Sequence, residues 1–77
     1  QLRKQNQAKE NQLDSFLELL QTDGKADGWL AVLEICELAT DQGFENVTKN
    51  SLSYLKQLQK KYPELKIPID DGLKLLD

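Results

Sequence analysis

Histidine and methionine are absent, and cysteine occurs once, as Cys36. A single cysteine allows no disulfide framework, and without histidine the usual zinc clusters lack their ligands. General acid–base catalysis loses its commonest group, and no nucleophile stands at motif spacing from a base. The glycines, at 24, 28, 43 and 72, form no phosphate-cradling loop. No apolar run reaches the roughly 18 residues of a bilayer span, and no signal-peptide pattern opens the chain. We therefore expect no enzyme, no cofactor and no membrane partner. A lone thiol among apolar neighbours suits a reducing, intracellular setting, cytoplasmic or nuclear.

What remains is a chain of 77 residues, one small domain by length. A chain this size buries only about 60% of its unfolded surface, so it has little stability in reserve. It opens at Gln1 rather than Met and stops after Lys-Leu-Leu-Asp77, which reads as a piece of a longer protein. The net charge of −3 conceals blocks. Residues 1–9 carry only Arg3, Lys4 and Lys9; residues 10–46 carry nine acids against Lys25. Residues 47–66 then carry five lysines against Glu64, and the last eleven residues three acids against Lys74. An acidic front half facing a basic third segment implies internal complementarity, or a partner that recognises one face.

The most apolar stretch is Trp29–Ala39, where only Glu34 and Glu37 are polar. With Asp41 they fall on one narrow helical face, and an otherwise apolar helix needs neighbours all round. Cys36 and Trp29 are expected in its core. Before it, Leu13, Phe16, Leu17 and Leu20 repeat at i, i+3, i+4, i+7, the stripe of an amphipathic helix. Residues 1–12 are a polar extension that either continues this helix or precedes it. Gly24 suits a left-handed C-cap, and Asp27 an N-cap for the core helix. Phe44 is expected to plug back into the core. Thr48 would cap a third helix with Val47 and Leu52 as its staple, burying Leu52, Leu55, Leu58 and Tyr62. Pro63 stops that helix, Glu64–Pro68 reads as extended, and Asp70 would cap a last short helix. The spacing thus predicts an all-α fold, a small bundle of three main helices plus a short C-terminal helix, with 13–77 as one domain.

Two motifs suggest particular chemistry. The window Asp23–Glu34 resembles the EF-hand calcium loop: Asp at its first and fifth positions, Gly at the sixth, Glu at the twelfth. The resemblance implies calcium held by Asp23, Asp27 and Glu34 with the Trp29 carbonyl. Lys25, however, puts an ammonium where the family places an oxygen ligand, and no second loop accompanies it. The second motif is a helix–turn–helix spacing across the core helix, the Asp41–Asn46 loop and the third helix, fitted by Leu38, Ala39, Gly43 and Leu52. Lys49, Lys56 and Lys60, a straight line at i, i+7, i+11, with Lys61 and Lys66, would meet nucleic-acid phosphates. Against it stand a pI near 4.8 and the lack of arginine in that helix.

By elimination the residues point to a non-catalytic helical protein–protein interaction domain of a scaffold, adaptor or complex subunit. Its partner would be another protein or another part of the parent chain, and a homodimer would be unsurprising. Either the acid stripe Glu10, Asp14 and Glu18 or the lysine line would orient the partner. Leu19 and Tyr54, each off the main stripe of its helix, are the expected apolar contacts.

Overall fold

The computed structural model describes residues 2–76, with side chains from Gln7 onward. Gln1, Asp77 and the side chains of Arg3 and Lys4 in the basic N-terminal block therefore lie outside the described residues. The fold is all-α: α1 Leu2–Asp23, α2 Trp29–Gln42, α3 Glu45–Lys61 and a shorter α4 Lys66–Leu76, with 3₁₀ turns at Ala26–Gly28 and Pro63–Leu65. Residues 2–12 of the polar extension belong to α1, whose 22 residues reach about 33 Å.

Each break follows from local chemistry. At Gly24, φ is 63° and the N–H donates to the Leu20 carbonyl, ending α1 as the glycine suggested. Gly43 (φ 75°) ends α2 in a Schellman motif: its N–H donates to Thr40 O, and the Phe44 N–H to Ala39 O at 2.8 Å. That turn leaves only Gly43 and Phe44 between α2 and α3 and drives the Phe44 ring into the core. Pro63 cannot extend α3, and it starts the second 3₁₀ turn.

The core joins Leu17 of α1, Val32, Ile35 and Ala39 of α2, Val47, Tyr54, Leu55 and Leu58 of α3, and Ile69 of α4. α2 and α3 form the most extensive pair. Cys36 is buried with them. Two tyrosines tie down the end of α1. The Tyr54 hydroxyl donates to Leu20 O (3.2 Å), which also accepts the Gly24 N–H, and the Tyr62 hydroxyl donates to Gly24 O (3.0 Å), just past the helix end. Across the molecule, Gln59 Nε2 donates to Lys66 O and to Asp70 Oδ1, fastening the start of α4 to α3.

Several local expectations are corrected. Asp27 caps nothing: it sits inside the first 3₁₀ turn, and Gly28 holds the N-cap position without a side-chain bond. Thr48 lies within α3, which begins at Glu45, and its hydroxyl donates backwards to Phe44 O. Starting the helix three residues earlier brings Val47 onto it, at the head of a stripe spaced i, i+4, i+7, i+8, i+11. The buried face is Val47, Ser51, Tyr54, Leu55 and Leu58, with Leu52 and Tyr62 only half-buried. Residues 64–68 are helical rather than extended, because Pro68 occupies the third position of α4, where its missing N–H would have had no intrahelical acceptor. Asp70 consequently lies inside α4 rather than at its cap. Phe16 is exposed, although it fits the stripe of α1. α2 is not sheathed all round either, since Leu30 and Leu38 remain more than half exposed.

Candidate interaction surface

The uncovered side of α2 begins with its own sequence. Leu30, Glu34, Glu37 and Asp41 recur at three- and four-residue spacing and share the face turned from the core. α4 then comes in beside that face rather than over it, and Gly72 sets how close. A Cβ built there would stand 2.5 Å from Leu33 Cδ1, so glycine lets the two helices meet on Leu33 without displacing it. The close approach opens a groove of about 470 Å³ between α2 and α4. Trp29, Leu30 and Leu33 form one wall, and Pro68, Leu75 and Leu76 the other. Glu34, Glu37 and Asp71 also line it, and no lysine or arginine does. Leu30 is 56% exposed and Leu75 87%. Ile67, four residues before Asp71 on the outer flank of α4, is 71% exposed.

Uncovered leucines and isoleucines at this level are costly. Burying such a side chain fully is worth about 1.5–3 kcal/mol. A domain this short has few of them to spend on solvent. Among the described residues the one ion pair is Lys25–Asp23 at 3.9 Å, so Glu34, Glu37 and Asp71 meet no cation there.

The residues singled out by sequence are distributed differently. Lys49, Lys56 and Lys60 are exposed on the back of α3, nearly opposite its buried face. Asp14 and Glu18 are exposed and line a polar groove between α1 and α3 with Gln21, Asn50 and Ser53; Glu10 is half-buried. Leu19 is 69% exposed, as expected of a contact residue. Tyr54 is not: it is 7% exposed, because the buried stripe of α3 runs through it. Burial, then the neighbouring Tyr62 and Asp23, pushes its phenol above the ordinary tyrosine value. Its hydroxyl is engaged by α1, so it leaves the list of partner contacts.

The EF-hand window has no loop long enough to wrap a cation. Asp23 ends α1, and α2 has already begun at Trp29, the window's seventh residue. The Asp23 carboxylate faces the Lys25 ammonium, and among the described residues no group of three or more His, Cys, Asp or Glu side chains converges. The helix–turn–helix connection is two residues, shorter than the Asp41–Asn46 loop expected from sequence.

Sequence reasoning placed Asp71 at a helix-surface or capping position but missed Leu75 and Ile67 as surface residues beside it. Their place depends on α4 starting at Lys66, and the signal was the i, i+4, i+8 spacing of Ile67, Asp71 and Leu75. Among the described residues no helix is long and apolar enough to cross a membrane. No protein-family model, curated protein or solved structure matches this chain.

Proposed function

We propose that the chain is a non-catalytic helical interaction domain, a scaffold, adaptor or assembly-subunit module, whose working surface is the α2–α4 face. The supporting observation is the pairing of uncovered apolar side chains, Leu30 and Leu75, with three carboxylates that meet no cation among the described residues. Such a surface is stabilised when another protein, or another part of the parent chain, covers it. The helices on either side are fixed by the core, and the start of α4 also by Gln59, so docking orders little backbone.

The nucleic-acid reading rests on the exposed lysine line of α3. It is less well supported, because Asp14 and Glu18 flank the same helix across the α1–α3 groove and repel phosphate.

Photo-crosslinking side chains placed singly at positions 30, 75, 56 and 60, in cells that make the protein, test the reading. The expected result is one protein, identified by mass spectrometry, joined at 30 and 75 and not at 56 and 60. Crosslinks confined to 56 and 60, or none at 30 and 75, would refute it.

A further inference from the structure

We infer that the occupant of the α2–α4 groove is a basic amphipathic helix of another protein, about two turns long. This rests on the docking reading above and adds the chemistry of the partner. Two observations carry it, the charge and the shape of the groove.

The charge is one-sided. Glu34 and Glu37 line the groove from α2 and Asp71 from α4, alongside Leu30, Leu33 and Leu75, with no cation in the lining. An acidic or neutral occupant would remove these carboxylates from water without compensation, which is costly. Lysine or arginine on the flanks of the occupant supplies that compensation and speeds its approach. A second copy of this chain does not. Two-fold contact through this face sets Glu34, Glu37 and Asp71 against themselves. The lysine face of α3, the alternative cationic surface of a copy, presents Lys49, Ser53, Lys56 and Lys60, and its adjoining apolar side chain, Leu52, is half-buried in the bundle rather than free to enter the groove.

The shape selects a helix. All the described elements are helical, so no sheet edge exists for strand addition. Both walls are helices, and from Trp29 to Glu37 the floor runs about 12 Å at the helical rise per residue. Apolar side chains at i, i+4 and i+7 of a third helix cover the same distance, leaving its flanking positions for the carboxylates of the two walls.

Trp29, the only tryptophan, lines the groove and reports on it. Three tryptophan-free synthetic peptides of equal length are titrated: a leucine/lysine amphipathic helix, the same helix with glutamate for lysine, and the leucine/lysine composition scrambled to destroy the helical spacing. We expect saturable binding of the first alone. Glu34→Gln with Glu37→Gln should weaken it at least tenfold, as should added salt, whereas Lys56→Glu with Lys60→Glu should tighten it or leave it unchanged. Equal binding of the glutamate peptide, equal binding of the scrambled one, or insensitivity to the Glu34/Glu37 pair overturns the proposal. Sedimentation showing a dimer lost on Leu30→Asp would make the occupant a second copy and also overturn it. If positions 30 and 75 crosslink a protein while the basic peptide fails to bind, the partner class falls and the docking surface stands. Failure of both removes both. Leu30 is largely exposed, so a retained melting temperature checks that Leu30→Asp still folds.

Discussion

Gly72→Ala sets two effects of opposite sign against each other. In an unhindered helix interior the change is worth up to about 1 kcal/mol of added stability, because alanine loses less backbone entropy on folding. Here the new Cβ would meet Leu33 Cδ1 at 2.5 Å, Cδ2 at 3.2 Å and Cγ at 3.4 Å. The two methyls must move, whereas Cγ stands at the edge of ordinary contact. Either the tip of Leu33 turns into the groove, out of its packed rotamer, or α4 lifts from α2. Overpacking of this kind costs about 1–3 kcal/mol, so the helix gain is offset or exceeded. Leu33→Ala removes every atom that the new Cβ meets. In that background Gly72→Ala should stabilise by up to about 1 kcal/mol, and the coupling between the sites should be about 1–3 kcal/mol. Urea unfolding of the two single variants and the double variant, followed by far-UV circular dichroism at constant m-value, gives the cycle. The same change in both backgrounds would mean that α4 does not rest on Leu33, and the groove would lose its second wall.

Leu55 is fully buried at the centre of α3, so Leu55→Ala should cost about 2–5 kcal/mol and leave a domain this small largely unfolded by circular dichroism. The folded-state phenol of Tyr54 is raised above 10.0, so the stability it contributes is fully present below that value and lost as the pH rises through the raised one. Denaturation midpoints should accordingly fall above about pH 10, and Tyr54→Phe should flatten that fall, at a neutral-pH cost of about 0.5–1.5 kcal/mol for the hydrogen bond to Leu20. Lys56→Glu with Lys60→Glu lies on the outer face of α3 and should change the urea midpoint by no more than about 0.5 kcal/mol equivalent; a larger loss would mean the lysines are held internally.

The architecture was legible where one residue type admits one backbone solution. Gly24 and Gly43 end helices in the left-handed conformation, Pro63 stands two residues past the end of α3, and Phe44 enters the core from a turn too short to carry it elsewhere. Misreadings arose where a residue has two uses. Thr48 is as suited to bonding back onto its own helix as to capping one, and with Val47 inside α3 the buried stripe runs through Ser51 and Tyr54 rather than through Leu52 and Tyr62. Pro68 signals extended chain, but it is equally at home in a first helical turn. The apolar rod of α2 was correctly read as the centre of the bundle. Its outer leucines were not read as surface, because a helix's own sequence does not say how many neighbours it will have. The groove escaped for the same reason: one wall belongs to α4, whose start the sequence obscured.

The claim underlying the account is that Trp29 lies in an open groove whose charge is negative, and ionic quenching of its fluorescence measures that claim. Caesium and iodide are compared at matched ionic strength, in the wild type and in the Glu34→Gln/Glu37→Gln variant. The account predicts a caesium-to-iodide quenching ratio that falls when the two carboxylates are neutralised, with acrylamide quenching unchanged. A ratio that does not move, or a tryptophan that none of the three quenchers reaches, would contradict it.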